Sequence, residues 1–156
     1  MDQEAAVPIG GWRFMKFATG SGRDAISDWL ADVPIGERKG VRAYLVATLR
    51  HLRFLPKASW KWPQFDWLMG EKYSGIGEVR FKFRNVPYRP LGCFGPKPNE
   101  FTILIGCRKT RERKGKTKWK PPSALETAVM RRKQLAEPGR SVYEFDLASE
   151  AGRWPE

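Results

Sequence analysis

Alternation is clearest at Glu78-Val79-Arg80-Phe81-Lys82-Phe83-Arg84, where charged and apolar residues exchange without a break. Such a strand turns Val79, Phe81 and Phe83 to a core and sends Glu78, Arg80, Lys82 and Arg84 to the other face. Asn85-Val86-Pro87 predicts a turn. Tyr88 to Phe94 and Phe101 to Lys109 read as two further strands, joined by the turn-forming Gly95-Pro96-Lys97-Pro98-Asn99. Three strands with short connections predict an antiparallel meander. Trp12 to Ala18 alternates over part of its length and predicts an N-terminal strand, after a loose tail over residues 1–10 that Gly10-Gly11 ends.

Elsewhere the spacing is helical. Ser21-Gly22-Arg23-Asp24 reads as a capping box opening a helix with Ala25, Ile26, Trp29 and Leu30 on its apolar face, and Asp32-Val33-Pro34 closes it. A longer helix runs from Gly36 to Leu55, with Val41, Leu45, Thr48, Leu49, Leu52 and Leu55 in register. So short a link predicts an antiparallel helix hairpin. Trp60, Trp62 and Trp67 are expected to cover the sheet edge and this hairpin. Pro121-Pro122-Ser123 opens a third helix, with Ser123 and Glu126 as a capping box and Leu125, Ala128, Val129, Arg132 and Leu135 on one face. Val142 to Asp146 predicts a short edge strand. The fold class is therefore α+β: an N-terminal strand and a helix hairpin on a small antiparallel sheet, with a C-terminal helix and an edge strand. One domain is expected over residues 11–147, with residues 148–156 as a second tail.

Composition narrows the function. The 156 residues are 41% hydrophobic and 13% aromatic, which excludes a wholly disordered chain. Lys and Arg number 29 against 17 acids, a net charge of +12 that favours a polyanionic partner. No apolar run approaches the ~20 residues of a membrane span. The acidic start, Met1-Asp2-Gln3-Glu4, does not fit a secretion signal, so a cytoplasmic location without membrane contact is expected. Cys93 and Cys107 read as reduced, buried thiols, and a single histidine, His51, leaves no zinc site. Neither metal nor cofactor is expected.

The charge is concentrated. Arg80, Lys82 and Arg84 leave one strand face at spacings of ~7 Å, Arg89 comes alongside from the next strand, and Arg108 and Lys109 end the third. Like charges on adjacent strands repel unless a polyanion or water screens them. The pattern predicts a phosphate-binding concavity. Beyond it, Arg108 to Lys120 carries eight Lys or Arg and one acid, and is expected to be a mobile basic loop outside the core.

Three segments carry a family resemblance: Gly77-Glu78-Val79-Arg80-Phe81, Tyr88-Arg89-Pro90-Leu91-Gly92 and Phe101-Thr102-Ile103-Leu104-Ile105. With Leu125-Glu126-Thr127-Ala128-Val129-Met130-Arg131-Arg132 they make the chain resemble the RelE/ParE toxin superfamily, in its phage-derived HigB-like branch, from about Trp12 to Asp146. The resemblance implies a RelE-like fold and the toxin half of a type II toxin–antitoxin pair. It implies a metal-independent, ribosome-dependent endoribonuclease acting on mRNA, and a helix-turn-helix antitoxin encoded by an adjacent gene.

Carried over position by position, the resemblance puts catalysis on Arg80, Lys82, Arg89 and Lys109. Arg80 stands where a lysine is common in the family. In that mechanism the 2′-hydroxyl attacks the adjacent phosphorus. Arg89 and Arg80 stabilise the developing charge, Lys82 is the general base, and Lys109 or Arg108 is the leaving-group acid. Contacts to RNA are expected from Arg84, Arg108, Arg111, Arg113, Lys114, Lys116 and Lys118, with Tyr88 and Trp119 stacking on bases. Two other functions fit the residues: a non-enzymatic inhibitor of gyrase on the ParE side of the superfamily, and an RNA- or DNA-binding module without catalysis.

Overall fold

Asp24 starts the first helix by capping it. Its carboxylate accepts from the amides of Ile26 at 3.0 Å and Ser27 at 2.8 Å, and from the Ser27 hydroxyl at 2.9 Å. The capping box expected at Ser21 is therefore displaced by three residues. Ser21-Gly22 is a turn instead, and it returns the chain so that β2 (Arg23–Asp24) pairs with β1 (Arg13–Gly20). The computed structural model describes residues 6–111, 115–139 and 141–151.

Helix α1 (Ala25–Asp32) buries Ala25, Ile26, Trp29 and Leu30, and α2 (Arg38–Arg53) buries Val41, Leu45, Val46, Thr48, Leu49 and Leu52. Arg50, His51 and Arg53 fall in the last turn of α2, where the helix dipole favours cations. Both helices lie against one core, which contains Phe14, Phe65, Val79, Phe81, Tyr88, Phe101 and Ile103 from the strands. Trp60 is sealed into that core at 2% exposure and donates its indole N–H to the Leu55 carbonyl, whereas Trp62 stays 67% exposed. Only the first of these two tryptophans packs as a cover.

The meander is present, but each of its three long strands is broken at one level. Residues 77–83 divide into β4 (Gly77–Val79) and β5 (Phe81–Phe83), residues 86–94 into β6 (Val86–Tyr88) and β7 (Leu91–Phe94), and residues 100–111 into β8 (Glu100–Ile105) and β9 (Arg108–Arg111). The halves belong to different sheets. A seven-stranded sheet runs β11-β1-β8-β7-β4-β3, with β3 (Phe65–Trp67) at one edge, β11 (Val142–Glu144) at the other and β2 attached to β1. A four-stranded sheet runs β10-β9-β6-β5, with β10 at Thr117–Lys120. All pairings are antiparallel except that of β1 with β8.

Each break has a local cause. Pro90 has no N–H for a ladder, and its carbonyl accepts the Val79 amide at 2.9 Å. The Arg80 amide leaves the meander for the Gln64 carbonyl at 2.8 Å. At Gly106 the Trp29 ring lies on bare backbone, where an added Cβ would meet it at 2.0 Å.

Two segments depart from expectation. The stretch from Arg108 to Lys120, expected as a mobile loop, forms strands β9 and β10, paired from Arg108↔Lys120 to Arg111↔Thr117. Cross-strand pairing of Lys109 with Trp119 and of Thr110 with Lys118, and the positive φ at Gly115 (+76°), favour a hairpin over a loop. Ser123 precedes α3 (Ala124–Leu135) but makes no side-chain cap bond, so the second expected capping box is not formed. Helix α3 covers the other face of the large sheet with Ala124, Ala128 and Leu135, over Phe17, Leu91, Cys93, Leu104 and Cys107. The short helix α4 (Leu147–Ala151) falls where a tail was expected, with Leu147 buried in the first core. Among the described residues no helix is long and apolar enough to cross a membrane.

The packing of Trp29 on Gly106 gives a direct test. Gly106→Ala should lower stability by ~1–3 kcal/mol, because the ring is pinned between the backbone and Tyr88. Gly36→Ala, with nothing within 4 Å of the new Cβ, should change it by less than ~1 kcal/mol. Thermal melts of the two variants decide whether the bend carries that load.

Candidate nucleic-acid interface

Register brings the site together on the small sheet. Phe81 pairs with Tyr88, Tyr88 with Arg108, and Arg108 with Lys120, so these four side chains share one face. Lys82 pairs with Pro87 and Lys109 with Trp119, and one more step along the β6–β9 ladder sets Pro87 opposite Lys109. The other face therefore carries the row Lys82, Pro87, Lys109, Trp119. Lys82 and Lys109 lie two strands apart, ~10 Å between backbones, with only the proline ring between them. Their side chains are long enough to meet over it. A concavity of about 720 Å³ opens here, lined by Lys82, Asn85, Pro87, Lys109, Thr110 and Thr117 among others. Lys109 Nζ sits 4.7 Å from the centre of the Trp119 ring, a cation–π contact that holds both side chains.

The two arginines assigned to catalysis are placed differently. Arg89 is buried at 7% exposure. Its Nη1 donates to the Tyr88 carbonyl at 2.8 Å and the Phe81 carbonyl at 3.3 Å. Arg80 is half-buried, and its guanidinium is ion-paired with the carboxylate of buried Glu78. Burial pushes the pKa of Arg89 down and neighbouring Arg80 pushes it further, while Glu78 partly restores it. The Cys107 thiol donates to the Arg89 carbonyl at 2.9 Å. Its own pKa is driven up by burial first and then by Glu78. These groups form a fixed charged cluster inside the bend, and not an open phosphate cradle. Arg80 and Arg89 still lie on the same side of the bent strands as Lys82 and Lys109.

The remaining assigned residues separate by exposure. Tyr88 has no exposed surface, stacks on Phe81 at 5.5 Å and meets Trp29 edge-on at 5.9 Å, so it is closed to bases. That is a correction: β6 turns Tyr88 toward the helix core. Arg84 is exposed but lies beyond β5 in a turn with φ of +50°, its guanidinium over the Phe83 ring, and so leaves the row it was expected to join. Lys116 and Lys118 are exposed, and Arg108 and Trp119 half-buried. Arg111 ends β9, and Arg113 and Lys114 lie outside the described residues. Cys93 and Cys107 are free, buried thiols, and burial pushes the Cys93 pKa up to about 11. Among the described residues no three His, Cys, Asp or Glu side chains gather to hold a metal.

Residue reading alone did not find Asn85, Thr110 and Thr117 in the concavity, or Lys120 beside Arg108. The alternation of Thr117, Lys118, Trp119 and Lys120 is the signal for a strand within this basic stretch. No family model, no curated protein and no solved structure matches the chain.

Burial predicts how two cation deletions differ. Arg89→Ala should destabilise by ~1–3 kcal/mol, because the Tyr88 and Phe81 carbonyls lose their donor and Glu78 loses a buried counter-charge. Lys82→Ala, on an exposed side chain, should stay within ~0.5 kcal/mol. Urea denaturation of both variants checks the order, and a larger loss for Lys82→Ala would invert it.

Proposed function

We propose that the chain is a RelE/ParE-type toxin of the phage-derived HigB-like branch, with a RelE-like fold, that binds mRNA on the ribosome across the small sheet and cleaves it. The observation that carries this reading is the row Lys82, Pro87, Lys109, Trp119, two ammonium groups and an indole on one open face. RNA backbone needs closely spaced cations, and a single-stranded base needs an aromatic surface. The net charge of +12 and the exposed Lys116 and Lys118 extend the positive field beyond the row.

In this reading a phosphate lies over Pro87, between Lys82 and Lys109. Lys82, as the free amine, takes the 2′-hydroxyl proton as the 2′-oxygen bonds to phosphorus, and the bond from phosphorus to the 5′-oxygen breaks. Lys109 gives a proton to the departing 5′-oxygen, leaving a cyclic phosphate and a 5′-hydroxyl. Arg89 and Arg80 act from the bend as fixed positive charge and do not grip the phosphate themselves. A buried, pre-oriented charge stabilises a developing anion without reorganising during the reaction. A helix-turn-helix antitoxin encoded nearby is the proposed regulatory partner.

The test joins binding and cleavage. Lys82→Ala with Lys109→Ala should abolish mRNA cleavage on translating ribosomes. It should also lower the slope of log affinity against log salt by ~0.7 per lysine removed. Full cleavage by the double variant would overturn the assignment. Binding without cleavage by the unmodified protein would reduce the function to an RNA-binding module, and inhibition of gyrase supercoiling would replace it.

A further inference from the structure

A second concavity, of about 450 Å³, lies on the opposite side of β9 from the row of lysines. It occupies the gap between α1, the β8–β9 bend and the start of α3. Trp29, Ile105, Pro121 and Pro122 make apolar walls. Trp29 is fixed there, held by bare backbone at Gly106 and by Tyr88 edge-on. Arg108 and Lys120, cross-strand neighbours, line it from the β9–β10 hairpin, and Asp28 and Asp32, one helical turn apart, line it from α1. Arg131 also lines it, with its guanidinium on the Leu104 carbonyl at 2.8 Å and over the Phe17 ring. Arg108 also lines the concavity that holds Lys82 and Lys109, so one side chain borders both.

This lining selects a ligand. Two carboxylates repel a free anion, and three cations repel a free cation. Apolar walls with a cationic side and an acceptor side suit a nucleotide, with its phosphate on Arg108 and Lys120 and its base between the walls. A carboxylate only accepts hydrogen bonds, so it reads a base through N–H donors. Guanine alone among the four bases presents two adjacent N–H donors, N1–H and the 2-amino group, on its pairing edge. Asp28 is already engaged by the Thr19 hydroxyl at 2.6 Å and by Arg23 at 3.3 Å, whereas Asp32 is exposed at the end of α1. Asp32 is thus the reading carboxylate and Asp28 its fixed neighbour.

We infer that this gap is a base pocket for one guanine of the bound RNA, reached past Arg108 from the lysine row and read by Asp32. The inference rests on the RNA-binding reading above and adds a base preference to it. The experiment measures binding of the labelled pentaribonucleotides UUGUU, UUIUU (inosine, lacking the 2-amino group) and UUAUU by anisotropy across a salt series. Unmodified protein should bind UUGUU tightest, UUIUU less tightly and UUAUU roughly 5- to 100-fold more weakly than UUGUU. Asp32→Ala should erase that order without weakening UUAUU or changing the salt slope. Arg108→Gln with Lys120→Gln should weaken all three and lower the slope. Equal affinity for the three strands, or an order that survives Asp32→Ala, overturns the guanine pocket and leaves RNA binding standing. Failure of the unmodified protein to bind any strand at low salt overturns both.

Discussion

The common bend in three strands is the constraint from which the functional surface follows. At Arg80, at Arg89-Pro90 and at Gly106-Cys107 the meander leaves a sheet covered on both faces and enters one with an open face. Glu78, Arg80 and Arg89 fill that level as an ion pair with a second guanidinium beside it, and Arg89 ties the carbonyls of Phe81 and Tyr88 together. Buried charge of this kind contributes little net stability but penalises any register that separates the partners. Here it fixes where β5, β6 and β9 leave the bend, and so which residues Lys82 and Lys109 have as neighbours.

Electrostatics then divides the cations by depth. Arg80 and Arg89 are held by protein acceptors, whereas Lys82, Lys116 and Lys118 are exposed. The mutual repulsion of such a surface is moderated by water and salt. The same repulsion gives it a strong response to a polyanion, which displaces small ions as it binds. Lys109 is restrained by the Trp119 ring, so part of the ordering cost of its side chain is met before any ligand arrives.

Much of the fold was legible in the chain. Val79, Phe81 and Phe83 were assigned inward by alternation, and all three lie in or against the helix-covered core. The helical faces of Ile26, Trp29 and Leu30, and of Val41, Leu45 and Leu49, were legible in the same way. The bends were not, because the alternation of side chains continues through Arg80 while the strand changes sheets. Glu78 and Arg89 were expected on a wet face because antiparallel sheets often keep one. That holds for the small sheet and fails for the large one, where α3 buries the second face. In the site, the sharing of a face by Lys82 and Lys109 was visible. The exclusion of Tyr88 depends on partners distant in sequence, Arg108 and Trp29, whereas the hairpin from Arg108 to Lys120 is local and is signalled by the alternation of Thr117 to Lys120.

The parallel pairing of β1 with β8 sets an order of events at birth. Glu100, the partner of Arg13, follows it out of a ribosome only after several seconds at ~5–20 residues per second. Until then Phe14 and Met15 have no sheet to join, and β11, the neighbour on the other side of β1, comes later still. The halves of the meander that carry Lys82 and Lys109 are also incomplete until β9 and β10 have emerged. The basic face therefore cannot assemble before β9 and β10 have been made, well after the strand that carries Lys82.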